Sequence, residues 1–398
     1  MSEIRNPQLL KLADTCVACG LCVPQCPTYK MLQTEADSPR GRIALMRGVL
    51  EQKLQPTARF AEHLDLCLTC RSCEKACPNQ VPYGRLVDGM RAELLKLNPQ
   101  RLPRWQQAGL RLLARRPGAW RALLSPLRWP GGVGLASRLL RRPQLAPSLR
   151  EMAGRAQSGH WQASYPAHGA QLGEVQLFLG CVARTLDVAA IDAAIRLLTR
   201  LGFAVQVPAG QQCCGALLRH AGAAAAADEL LRGNLRAFGG NAPILVLASG
   251  CGADLRDAEF GARVIDVGEF LERHGDWSRI VLQPLPLRIG VHDPCSLRNV
   301  LRSEQAYYRL LQRIPQAEVL PLPGNQQCCG AAGAYHLQQP QVAGQLRDAK
   351  IDAMRALQPQ RLASANFGCG MWLNAALPAN LRFEHPLVLL AQQLKENV

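Results

Sequence analysis

Two copies of one cysteine run near the N-terminus, and a duplicated cysteine pattern over the rest of the chain, predict an α+β multidomain protein. An N-terminal helical ferredoxin-like [4Fe–4S] domain is expected to precede two repeated α/β domains, each marked by Cys-Cys-Gly (CCG). The expected boundaries are 1–95 for the cluster domain and 96–170 for a basic connector rich in Arg, Trp and Pro. The first CCG domain then spans 171–285 and the second 286–398. A chain of 398 residues, 48% of them hydrophobic, is long enough for two or three such units with a sizeable core.

The two runs are Cys16-Cys19-Cys22-Cys26-Pro27 and Cys67-Cys70-Cys73-Cys77-Pro78. C-x2-C-x2-C-x3-C-P is the spacing by which bacterial ferredoxins hold two [4Fe–4S] cubanes. Three thiolates wrap one face of a cube, and the fourth cysteine of the run reaches the other cluster. One metal site is therefore expected from Cys16, Cys19, Cys22 and Cys77, and another from Cys67, Cys70, Cys73 and Cys26. Structural zinc also accepts four thiolates, but it ordinarily uses two well-separated C-x2-C pairs. Between the runs, MLQTEADSPRGRIALMRGVLEQKL places apolar residues at helical spacing after the Ser38-Pro39 break. Helices are thus expected to hold the runs apart, in place of the compact β-rich arrangement.

The connector carries most of the charge. From Leu94 to Arg150 there are twelve basic residues, eleven of them Arg, and no acidic one, which is three quarters of the net charge of +16. Trp105, Trp120 and Trp129 and many leucines interleave with the arginines. Such a stretch suits an anionic membrane surface or an acidic partner, with a solvated linker as the plain alternative. Nucleic acid would suit the charge, but no nucleic-acid fold signature accompanies it and none is expected as a partner. Gly131-Gly132-Val133-Gly134 follows no apolar strand and reads as a loop, not a nucleotide site.

The N-terminal residues show no secretory signal, and no charge-free apolar run reaches the length of a spanning helix. Sixteen cysteines, all in ligand-like patterns without an export signal, point to a reducing cytoplasm and not to a disulfide framework. The expected location is cytoplasmic, peripheral on the inner face of the cytoplasmic membrane.

From about Glu174 the chain repeats itself. Cys181, Cys213-Cys214 and Cys251 in the first half correspond to Cys295, Cys328-Cys329 and Cys369 in the second, at offsets of 114, 115 and 118 residues. QQCCGA recurs word for word. Each half alternates short apolar strands with helical stretches, as in VQLFL before TLDVAAIDAAIRLLTRLG, which argues for a mostly parallel sheet. Cys181, Cys251, Cys295 and Cys369 then fall at the carboxyl ends of strands, beside helix N-termini, where such sheets gather ligands. The eight CCG cysteines are cofactor-binding candidates for further iron–sulfur clusters, with a redox-active dithiol or buried structural thiols as alternatives. His220, His292 and His336 lie near these motifs and could tune a cluster or be satisfied by backbone. No nucleophile–base pair or flavin fingerprint appears, so no catalytic residue is assigned.

The order of motifs, with SPRGRIALM between the runs, HLDLCLTCRSCEKACP at the second and two CCG repeats after a linker, resembles the iron–sulfur subunits of bacterial glycolate oxidase (glycolate dehydrogenase). The likeness covers nearly the whole chain and is weakest in the Arg-rich connector, roughly residues 96–170. It implies a complex whose separate flavoprotein subunits oxidise glycolate to glyoxylate and pass electrons through this chain's two [4Fe–4S] clusters towards a membrane quinone. It carries the cubane ligands over to the eight cysteines of the two runs. The same relay for D-lactate or glycerol-3-phosphate, or a thiol/disulfide reductase built on the CCG cysteines, are the other functions considered. The CCG repeat is also similar to the catalytic subunit of heterodisulfide reductases and to the C subunit of anaerobic glycerol-3-phosphate dehydrogenase. In the heterodisulfide reductases each motif ends C-x2-C. Here Asp254 and Trp372 take the last position, which counts against reductase chemistry.

Overall fold

A computed structural model describes residues 3–139 and 143–395. The N-terminal part is helical, as its periodicity predicts. Its helices are Pro7–Asp14, Pro27–Leu32, Pro39–Leu50, Ala58–Asp65, Ser72–Lys75 and Tyr83–Leu97. Three of them open on proline, whose fixed φ and missing N–H suit the first helical position. Side-chain caps fix three starts: Asn6 accepts from the Leu9 amide, Ser38 from Gly41 and Thr57 from Phe60. Met46, Leu64, Leu86 and Met90 fill the core between these helices and set the two cysteine runs around it.

Among its described residues the connector forms the α-helices Arg104–Arg115, Pro117–Leu124, Gly132–Leu139 and Ala146–Arg155. The Gly-rich step expected as a loop is therefore corrected. Gly131, at φ +78°, turns the chain, and GVGLASRL then forms a helix packed against Ala146–Arg155. Packing outweighs the weak helix propensity of two glycines here. No strand precedes this segment; a 3₁₀ turn, Ser125–Arg128, does.

The first sheet contains β1 (Ser164–Tyr165), β2 (Gly173–Phe178), β3 (Phe203–Gln206), β4 (Ile244–Val246) and β5 (Val264–Asp266), in the order β1-β3-β2-β4-β5. β1, which comes from the connector, is antiparallel to β3; every other pair is parallel. The second sheet contains β6 (Arg288–His292), β7 (Glu318–Pro321), β8 (Arg361–Ser364) and β9 (Phe383–Glu384), in the order β7-β6-β8-β9, all parallel. Without β1 the two sheets share one topology, as a duplicated sequence requires.

The halves also interlock. The last helix, Pro386–Gln392, packs on the first half's Val188–Arg200, so Leu387 and Leu390 share a core with Ile191 and Leu198. In each half the glycine of CCG is fixed by conformation: Gly215 has φ +95° and Gly330 φ +88°. A Cβ on Gly330 would also lie 2.6 Å from the Ala343 carbonyl oxygen. Only glycine lets the chain turn from the paired thiols into the following helix at such close range.

Candidate metal centres

The first cavity of the N-terminal domain is lined by Cys16, Cys19, Cys22 and Cys77 and also by Cys73, which the second cavity shares. The second is lined by Cys26, Cys67, Cys70 and Cys73, with Thr28, Arg42 and Tyr83. Each cavity thus collects the quartet that the spacing pairs across the two runs.

The backbone is shaped in the same way in both. Ala18 and Gly20 in the first run, and Thr69 and Arg71 in the second, stand at equal offsets from the leading cysteine and all have left-handed φ, from 50° to 87°. Alternating hands turn successive N–H groups inward, which makes a concavity for an anion. The Thr69 amide donates to Cys67 Sγ at 3.4 Å, and the Tyr83 hydroxyl to the same sulfur at 3.7 Å.

Two buried arginines serve the second site, Arg42 in the cavity lining and Arg91 behind Cys67. Arg42, 1% exposed, donates to the His63 carbonyl at 2.6 Å, to Thr28 Oγ1 at 3.1 Å and to Asp37 Oδ1 at 3.2 Å, and reaches Cys26 Sγ at 3.9 Å. Arg91 donates to the Leu64 and Cys67 carbonyls, both at 2.8 Å, and to Thr69 Oγ1 at 2.9 Å. Arg42 pairs with Asp37 at 3.2 Å and Arg91 with Asp88 at 3.4 Å, and an anionic cluster of thiolates and sulfides would be further stabilised by both guanidinium groups. The residues present therefore fit an anionic [4Fe–4S] group. Sequence reasoning did not single out Arg42; its signal is an arginine on the apolar face that Ile43, Met46 and Val49 give to Pro39–Leu50.

The cavities differ in exposure. Cys19 is exposed, flanked by exposed Val17 and Leu21, so the first opens on the surface. The second faces inward, onto the second CCG half. Asn299 Nδ2 donates to the Cys70 carbonyl at 2.8 Å and the Tyr335 hydroxyl to the Leu66 carbonyl at 3.1 Å. Leu68 packs among Cys328, Cys329 and Trp372. Burial, and next the charge of Cys295, push the Cys70 thiol well up.

The CCG cysteines come together as expected, one row per half at the carboxyl ends of the central strands. In the first, Cys181 Sγ lies 3.0 Å from Cys213 Sγ, and Cys213, then Cys251, push the Cys214 thiol well up. In the second, Cys295 Sγ lies 3.9 Å from Cys328 Sγ, and the Cys329 thiol is held well up, Cys328 opposing and Cys369 and burial raising it. The bond from Cys181 to Cys213, and then burial, raise the Cys181 thiol, while the same bond drives Cys213 down. Where a C-x2-C would end, Asp254 accepts from Arg219 Nε at 3.0 Å, and the Trp372 ring lies between His336, centroid to centroid 4.9 Å, and the Arg347 guanidinium at 4.6 Å. His336 also pairs its Nδ1 with the Ala331 carbonyl at 3.2 Å. His220 faces the N-terminal domain: its Nδ1 lies 3.0 Å from Asp88 Oδ2 on Tyr83–Leu97.

Comparison with known proteins agrees with this layout. A 4Fe–4S dicluster domain model matches residues 12–81, and a cysteine-rich (CCG) domain model matches twice, at 175–256 and 289–374. The chain is 32% identical to the glycolate oxidase iron-sulfur subunit of Escherichia coli (strain K12), over 96% of this chain and 94% of that protein. It is 28% identical to the probable glycolate oxidase iron-sulfur subunit of Bacillus subtilis (strain 168), over 93% and 91%. Lactate utilization protein A of Geobacillus thermodenitrificans (strain NG80-2) is 26% identical over 50% of this chain and 89% of its own length.

The His220–Asp88 pair makes the contact between domains pH-dependent. Burial pushes His220 down, but the Asp88 carboxylate overrides it and leaves the imidazole above its ordinary 6.5, with Arg91 opposing and Asp254 assisting. Burial likewise pushes Asp88 up, and His220 overrides it, leaving the carboxyl below 3.8. A raised histidine contributes fully below 6.5 and loses its contribution as pH rises through the raised value; a depressed carboxylate loses its own only as pH falls through the depressed one. In denaturant titrations, the stability gap between wild type and His220→Asn should therefore narrow as pH rises from about 6 to about 9. A gap that stays constant over that range would mean the pair adds nothing to the contact.

Proposed function

The chain belongs to the family of glycolate oxidase iron–sulfur subunits, and from that premise we propose that it relays electrons from a separate flavoprotein, which oxidises glycolate to glyoxylate, towards a quinone in the membrane. The observation that carries the relay is the placement of the cysteine sets: one opens on the surface, the next is internal, and the internal one abuts the second CCG row.

In this reading Cys16, Cys19, Cys22 and Cys77 hold one cluster, and Cys26, Cys67, Cys70 and Cys73 the other. The CCG rows, Cys181, Cys213, Cys214 and Cys251, then Cys295, Cys328, Cys329 and Cys369, hold further clusters. A bound cluster supplies a one-electron carrier whose potential follows its net charge, hydrogen bonds and exposure. The chain's own residues set those quantities. Arg42 and Arg91 offset negative charge at the internal site, and Thr69 and Tyr83 donate to its sulfur ligand Cys67. The exposed rim of Val17, Cys19 and Leu21 receives the electron-donating subunit. The substrate site belongs to that subunit, and no residue here is assigned to bond making.

A D-lactate donor is the second reading, favoured by the likeness to lactate utilization protein A. The test is anaerobic affinity purification from the native cells, membranes included, followed by dye reduction with glycolate, D-lactate and glycerol-3-phosphate. Glycolate-dependent reduction with co-eluting flavin is expected. Activity with D-lactate alone would replace the substrate and keep the relay; no flavin and no activity with any of the three would overturn it.

The connector is assigned to the membrane side, with the chain cytoplasmic and peripheral on the inner face. Among the described residues no helix is long and apolar enough to cross a membrane. Trp105 and Trp129 are 73% and 75% exposed on this basic segment, and Leu112, Leu123 and Leu135 are exposed with them. Unburied tryptophan beside arginine suits an anionic interface. The chain should float with vesicles containing anionic lipid, and float less as salt rises. Flotation indifferent to both lipid charge and salt would remove the membrane assignment.

A further inference from the structure

The two CCG halves match in their thiols but not in what faces them. His292 ends β6, three residues before Cys295; Phe178 holds the same place in β2, three before Cys181. His292 is 2% exposed. Its Nδ1 lies 3.0 Å from Ser364 Oγ on the adjacent β8, and its Nε2 has no hydrogen-bond partner among the described residues. A ring nitrogen of His292 and the sulfurs of Cys329 and Cys369 lie within 4.8 Å of one another. Buried ring nitrogens are ordinarily satisfied, so an orphan beside two thiols calls for a ligand. A metal-bound imidazole typically donates its other N–H to a fixed acceptor, which locks the tautomer and leaves the bare nitrogen for the metal. An Nδ1–H donated to Ser364 meets that requirement.

Lys350 is an independent sign that this row holds something anionic. It is 5% exposed, its Nζ donates to the Gly324 carbonyl at 3.0 Å, and among the described residues no carboxylate forms an ion pair with it. Burial pushes the Lys350 ammonium below its ordinary range, and negative charge on Cys329, Cys328 and Cys369, then on Asp293, opposes that shift. Keeping a buried ammonium charged is costly, and an anionic centre on these thiols would add to the counter-charge that Asp293 offers.

We propose that His292 is a ligand of the cluster in the second CCG half, binding iron through Nε2 and giving that centre a mixed thiolate–imidazole donor set that the first half lacks. The proposal rests on the reading that the CCG rows hold clusters. For His292 to bind, imidazole takes the iron site of one of the row's four cysteines, which then stays a neutral thiol. That leaves the cluster less negative than the first half's and raises its reduction potential, as histidine does in Rieske centres. The second-half centre, which adjoins the internal ferredoxin-type site, thereby becomes the favourable place for an electron arriving from it.

The test is pulsed electron paramagnetic resonance on the reduced full-length protein, grown with natural or 15N-labelled histidine. One cluster should show nitrogen coupling that changes with the label and is lost in His292→Phe, while His292→Cys should lower its midpoint potential. The labelled wild type needs no substitution, so a poorly folding variant does not spare the proposal. Cys369→Ser separates the two levels of the claim. If it removes one cluster signal and that cluster shows no histidine coupling, ligation by His292 is overturned while the cluster reading stands. If it changes neither iron content nor signals, the row holds no cluster and both fail.

Discussion

A buried anionic cluster needs four thiolates converging from more than one direction, and charge around it to offset its own. Most of the N-terminal domain can be read as a solution to that requirement. A single C-x2-C-x2-C run wraps one side of a cube, so the fourth ligand must come from elsewhere, and the two runs supply it to each other. Helices Pro39–Leu50, Ala58–Asp65 and Tyr83–Leu97 hold the runs at the separation this exchange needs. Arg42 ties the end of the first run to the helix that leads into the second, through Cys26 and Thr28 on one side and the His63 carbonyl on the other. Asp37 balances its charge within the same buried network.

The same logic continues in the CCG halves by a different route. Parallel strands end together, so three loops from three adjacent strands deliver four thiols to one place in each half. Duplication kept that geometry and let the surroundings diverge: Phe178 against His292, and Asp254 held by Arg219 against Trp372 under Arg347. The second row packs against the internal ferredoxin-type site, through Leu68 and the Asn299–Cys70 contact, while the first half reaches it by the Arg71–Asp257 ion pair. The first row is tied to the same domain further along Tyr83–Leu97, by His220 and Asp88. Equivalent halves therefore have unequal positions in the chain of redox sites.

What the sequence made legible was local. Spacing pointed to the two cysteine quartets that line the cavities, a repeat at near-constant offset to the duplicated α/β halves, and local periodicity to the helix that starts at Ser38-Pro39. Non-glycine left-handed residues such as Thr69 and Arg71 left no trace, since a threonine or arginine carries no turn signal of its own. Arg42 reads as a surface charge until its helix is packed. The helix at Gly132 and the pairing of β1 with β3 are set by tertiary contacts that override local propensity. The meeting of Cys70 with the second CCG row joins residues more than two hundred positions apart, beyond any spacing argument.

Exchange of the fourth ligand between the runs is the feature on which the account turns, and ligand substitution tests it directly. Reduced Cys26→Ser, Cys22→Ser and Cys67→Ser proteins would be compared by electron paramagnetic resonance against wild type. The account predicts that Cys26→Ser perturbs the same cluster signal as Cys67→Ser and leaves intact the one that Cys22→Ser perturbs. A Cys26→Ser spectrum that matched Cys22→Ser instead would show each run holding its own cluster, and would contradict it.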